Sequence, residues 1–163
     1  DNNYDVISVG KINDIFDGQG INKNIKAASN QEAINKLTDI MDKKFTGLCM
    51  VNLSDFDSIY GHARDVEGYA HAIEELDVDI PIILNKLELD DLLIITADHG
   101  NDPTFKGNDH TRENVPVILY SRNFKNTKRL PAFETFANIG ATIADNFDVS
   151  LPPIGKSILN ELE

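Results

Sequence analysis

The sequence predicts an α/β domain, a mainly parallel sheet with helices on both faces. Short apolar runs of strand length fall at about 5–9, 47–53, 92–97 and 116–120, and segments of helical periodicity fall between and after them. Strands that alternate with helices cross over the sheet, and such crossovers make neighbouring strands parallel. A length of 163 residues suits one domain, and 41% apolar residues suffice for a core.

Asp5-Val6-Ile7-Ser8-Val9-Gly10 reads as a short strand that ends in a glycine turn. The stretch 11–29 carries Gly18, Gly20 and several Asn and Lys with little periodicity, and reads mainly as loop. Asn30 is placed to cap a helix running to about Lys43, with Ala33, Ile34, Leu37, Ile40 and Met41 on one face. Gly47 to Leu53 is apolar on both faces, as a buried parallel strand is. A long helix follows from about Asp65 to Leu87, with a kink or break expected at Pro81. Leu92 to Ala97 is the clearest strand, 98–114 is a polar loop, and 116–120 resumes a strand with Pro116 at its start. Phe133 to Phe147 has the apolar spacing of a helix.

Twenty-seven acidic residues against 15 basic ones give a formal charge of −12. That charge repels nucleic acid backbones and anionic membranes, so neither is an expected partner. The single cysteine, Cys49, excludes an internal disulfide, fits a reducing cytoplasm, and reads as a small buried hydrophobe in its apolar run. No apolar stretch approaches the roughly 20 residues that span a bilayer.

The chemistry-bearing residues gather just after strands. Asp55, Asp57 and His62 follow the run that ends at Leu53, Asp98 and His99 follow the strand 92–97, and Asp109 and His110 lie in the next loop. In sheets of this kind ligands bind at the carboxyl ends of the strands. Carboxylates and imidazoles converging there suit Mn²⁺, Zn²⁺ or similar ions. So many such groups exceed what one open catalytic ion takes, so a two-ion site clamping a phosphoryl group is expected. His71 lies within the long helix and reads as a surface residue. Lys11, a lone cation after a strand, reads as solvated on residue type alone.

The runs Asn52-Leu53-Ser54-Asp55-Phe56-Asp57 with Gly61-His62, Thr96-Ala97-Asp98-His99-Gly100-Asn101-Asp102-Pro103, and Asp109-His110-Thr111-Arg112-Glu113 with Val115-Pro116 closely resemble phosphopentomutase, of the alkaline phosphatase superfamily. Ser8-Val9-Gly10-Lys11-Ile12 and the segments 136–142 and 158–162 are similar to that family too. The resemblance implies an alkaline-phosphatase-like core, of which 1–163 would be the C-terminal, metal-binding portion. The N-terminal core segment and the inserted cap domain would lie outside it. It also implies Asp57, His62 and His110 on one Mn²⁺, Asp98 and His99 on a second, and Lys11 near the substrate phosphate. The implied reaction interconverts ribose or deoxyribose 1-phosphate and 5-phosphate, with a sugar bisphosphate activator. The threonine that carries phosphate in the family has no match here, so the isolated chain is expected to be inactive. Asp55 is kept as structural, Asp109 as a residue that orients an imidazole, and Arg112 as an anion contact or a surface ion pair. Two other classes share part of the pattern: cofactor-independent phosphoglycerate mutase, and a non-catalytic metal-binding module.

Overall fold

The computed structural model describes residues 3–162. Its central element, β1 (Asp5–Val9), is flanked by β2 (Lys23–Ile25) and β3 (Gly47–Val51), both parallel to it. Val9 pairs with Ile25 on one side and Val51 on the other, so the three carboxyl ends lie level. Gly10 turns the chain at that edge with φ +83°, and a Cβ there would lie 2.9 Å from the Asn52 carbonyl oxygen. Only glycine adopts such a backbone without strain while allowing so close an approach. A short α1 (Ile12–Ile15) and β2 occupy the stretch that reads as loop. Three polar-rich residues, Lys-Asn-Ile, carry too little periodicity to announce an edge strand.

The core forms between this sheet and α2 (Asn30–Met41). Ile7, Val9, Ala33 and Ile40 are buried together, with Ile25, Phe45, Cys49, Val51 and Leu53 packed around them. Ser29, not Asn30, caps α2: its Oγ accepts from the Glu32 N–H at 3.2 Å. Asn30 has a different task. Its N–H donates to Asp55 Oδ2 at 2.7 Å, and its Oδ1 accepts from the Asp55 N–H at 3.0 Å. That reciprocal pair ties the start of α2 to the segment after β3, which gives the buried Asp55 a structural role.

A π-helical turn spans Phe56–Gly61, and α3 then runs Val66–Lys86. Asp65 caps α3 by accepting from the Gly68 N–H at 2.9 Å. The helix continues through Pro81 without a break. Proline removes one N–H from the ladder there, and the neighbouring turns carry the helix across the gap.

The strands β4 (Leu93–Thr96) and β5 (Val117–Tyr120) are the antiparallel part of a mainly parallel arrangement. They form a separate antiparallel pair, from Leu93 opposite Tyr120 to Thr96 opposite Val117. Parallel neighbours need a long crossover, usually helical. The connection 97–116 holds no helix, and a bridge between Gly100 and Thr111 folds it back on itself, so β5 returns antiparallel.

The last helix, α4 (Ala137–Asn146), starts later than its apolar spacing predicts. Thr135 makes a turn of its own first, its Oγ1 accepting from the Ala137 N–H at 3.2 Å. The buried Thr142 and its neighbour Asn138 hold the C-terminal tail onto α4. Their side-chain oxygens accept from the Ile158 and Lys156 N–H groups, both at 3.1 Å.

Candidate metal centre

Two arms of chain meet at one place. The first leaves β3 at Val51 and enters the π-helical turn, where the His62 N–H bonds the Asp57 carbonyl, five residues back, at 3.0 Å. In an α-helix, residues five apart point about 140° away from each other. The wider turn closes that angle, and His62 Nε2 stands 3.4 Å from Asp57 Oδ2. Gly61 is required beside it, because a Cβ there would lie 2.5 Å from Asn101 Nδ2.

The second arm leaves β4 and brings His99 and His110. His110 Nε2 lies 3.3 Å from Asp57 Oδ1 and 3.1 Å from His62 Nε2. The His99 ring stacks on His110 with centroids 3.8 Å apart. One ligand atom each from Asp57, His99 and His110 falls within 4.8 Å of the others. The four donors therefore form one cluster, with His110 at its middle. His99, implied by the resemblance for a different ion from His110, lies in the same cluster.

Asp98 stands at the rim, 74% exposed, with Oδ1 3.8 Å from His99 Nε2. Lys11 is exposed at the turn after β1, at the same carboxyl edge as the segment after β3. Among the described residues, no hydrogen bond or ion pair joins Lys11 to the cluster. His71 projects from α3, 68% exposed, beside Glu74 and Glu75. Arg112 is exposed, and Asp109 enters through its backbone carbonyl instead of its carboxylate.

The surroundings orient the donors. His62 Nδ1 lies 2.5 Å from the Asn108 carbonyl oxygen, which can only accept. Nδ1 therefore carries the proton, and the Nε2 lone pair faces Asp57 and His110. Asn101 Nδ2 donates to Asp57 Oδ1 at 2.7 Å. Nearby, burial first and the Asp57 charge second push the Tyr69 hydroxyl pKa up. An imidazole lone pair, a carboxylate and a second imidazole brought this close can share a proton or a cation. A divalent ion would satisfy all of them together, and the oxygen and nitrogen donors fit Mn²⁺, Zn²⁺ or Fe²⁺ alike. The carbonyl behind His62 and the amide behind Asp57 are the supporting partners that metal ligands require.

Asn101 sits inside the run Ala-Asp-His-Gly-Asn, so its place beside the ligands was within reach of sequence reading, though its contact to Asp57 was not. Arg64 carried no signal, being an ordinary basic residue after a helical turn.

A family model described as the metalloenzyme superfamily matches residues 4–151, most of the chain. The chain belongs to the metalloenzyme superfamily. This alkaline-phosphatase-like superfamily includes phosphopentomutase and related mutases, so the class of chemistry is metal-dependent phosphotransfer. The family implies a metal cofactor, and Asp57, His99 and His110 form a possible ligand triad for one. The parallel three-stranded sheet with its helices is consistent with part of the fold. No helix among the described residues is long and apolar enough to cross a membrane.

Proposed function

We propose that this chain is the metal-binding C-terminal portion of a phosphopentomutase, which moves phosphate between the 1- and 5-positions of a pentose. The observation that carries the reading is the convergence of Asp57, His62, His99 and His110 from two separate strand ends. Asp57, His62 and His110 hold one Mn²⁺ in this reading, and His99 with Asp98 contributes to a second. Bound there, the ions withdraw charge from the phosphoryl oxygens and activate a hydroxyl nucleophile. An open cleft of about 290 Å³ beside His99, lined in part by Tyr69, Asn101, Glu113 and Pro116, leaves room for a phosphate ester. Lys11 meets the substrate phosphate from the same edge.

The nucleophile comes from outside these residues. Thr111 is adjacent to His110, but its hydroxyl donates to Glu113 and accepts from the Asp102 N–H at 2.6 Å. Thr104 is committed to Asp102 Oδ1 at 2.7 Å.

The test is a direct comparison of substrates. The full encoded protein with Mn²⁺ and a sugar bisphosphate activator should interconvert ribose 1- and 5-phosphates and leave phosphoglycerates unchanged. Turnover of 2- and 3-phosphoglycerate instead would replace the reading with a phosphoglycerate mutase. Tight metal binding without turnover of either would replace it with a non-catalytic module.

A further inference from the structure

We propose that Arg64 is the positioning residue of this centre, locking the two arms together and fixing the tautomer of His62. The inference rests on the metal-site reading for its consequence, but its geometry stands apart from it. Arg64 adopts a left-handed backbone, φ +57°, which non-glycine residues rarely keep unless their surroundings demand it. The demand comes from its side chain. The guanidinium donates to the carbonyls of Gly61 at 3.2 Å, Asp102 at 2.9 Å, Asp109 at 2.5 Å and Gly107, and to Asn101 Oδ1 at 2.7 Å. Gly61 belongs to the first arm and the other four acceptors belong to the second. A planar fork of five N–H groups can serve so many acceptors at once, and a lysine ammonium cannot.

Two chains of contact lead from this fork to the ligands. Arg64 captures Asn101 Oδ1, which leaves Asn101 Nδ2 pointing at Asp57. Arg64 also pins the carbonyls of Gly107 and Asp109, on either side of Asn108, whose own carbonyl receives the His62 Nδ1 proton. Arg64 touches neither Asp57 nor His62 by any hydrogen bond or ion pair among the described residues. It acts through the loop.

The experiment uses the full encoded protein, cleared of metal by chelation, and two variants. Arg64→Lys keeps the charge and loses the fork, and Arg64→Gly relieves the left-handed backbone and loses the fork. Imidazole ¹H–¹⁵N spectra at pH 9, with His62 assigned by its loss in His62→Gln, report the tautomer directly. Wild type should show the Nδ1–H form, and both variants should move toward the Nε2–H form that free imidazole side chains prefer. Mn²⁺ titration should then show affinity falling at least tenfold in both variants, with far-UV circular dichroism unchanged. A His62 tautomer that stays Nδ1–H in whichever variant folds overturns the proposal, as does a wild type in the Nε2–H form. Mn²⁺ affinity within twofold of wild type in a variant whose tautomer has shifted also overturns it. Wild type that binds no Mn²⁺ overturns the metal reading instead, and the spectra still decide the role of Arg64.

Discussion

The segment 5–53 and the segment 97–111 are held by opposite means. In the first, Ile7, Val9, Ala33 and Ile40 are each at most 5% exposed and pack between sheet and helix. In the second no residue is buried, and its position depends on polar contacts that radiate from Arg64, Asn101 and Thr111. Apolar burial is non-directional and tolerant, whereas hydrogen bonds are directional and fail abruptly when one partner goes. The difference teaches that stability and ligand geometry are controlled by separate residues, even though one chain threads both.

The largest expected effect tests the apolar half. Ile7→Ala should lower stability by about 3 kcal/mol, because a buried aliphatic side chain leaves a cavity behind. Urea denaturation measures the loss, and Mn²⁺ affinity of the folded fraction should stay at the wild-type value. A parallel loss of affinity would show that the two halves are coupled.

The mirror-image change comes next. His110→Ala should weaken Mn²⁺ binding roughly 100-fold, or a little under 3 kcal/mol, since the central donor is lost. Its urea midpoint should barely move, because His110 is exposed and packs against no apolar core residue. Calorimetric titration with Mn²⁺ provides the number, and unchanged binding would remove His110 from the centre.

Asn101→Ala sharpens the comparison at a smaller scale. Losing the amide that orients Asp57 should cost about tenfold in affinity, the usual range for a partner behind a metal ligand. The same titration with Asn101→Asp should lose less than Asn101→Ala, since the added carboxylate attracts the cation even though the amide donor to Asp57 is gone.

Cys49 tests how dry the sheet half is. Burial pushes its thiol pKa from 9.0 up to about 11, with the Lys23 charge opposing. The folded state therefore favours the neutral thiol, a preference fully present below pH 9 and lost as pH rises to about 11. A thiol reagent at pH 8 should label unfolded chain quickly and folded chain slowly, and Cys49→Ala should flatten the fall in urea midpoint across that window. Rapid labelling of the folded chain would mean that this half is open.

His71→Ala should do least, under about 0.5 kcal/mol in stability and nothing measurable in Mn²⁺ affinity, as an exposed pair with Glu74 and Glu75 contributes little.

The apolar half was largely legible in the sequence, since Ile7, Val9, Ala33 and Ile40 announce themselves by period. The choice between Ser29 and Asn30 was not, because both are competent caps and only the partner offered by Asp55 decides. Strand direction was also hidden, since Leu93 to Thr96 reads the same whether β5 runs with it or against it. At the metal centre, the residue types Asp57, His62, His99 and His110 were legible as donors. Their arrangement around His110 was not, because it depends on the fold-back between Gly100 and Thr111. Arg64 was invisible for a plainer reason: its partners are mostly backbone carbonyls, which every residue possesses.

The π-helical turn carries a consequence for descent. A turn with five-residue hydrogen bonding differs from an ordinary helical turn by one residue, so a single inserted codon suffices to make it. Removing one residue between Asp57 and His62, Ser58 for instance, should restore an ordinary turn and leave the sheet intact. The two donors would then sit four apart, with the downstream chain, Arg64 included, rotated by about 100°. A helix that once only covered a sheet can thus become a ligand-bearing corner in one mutational step, and reverse sequence edits can retrace it.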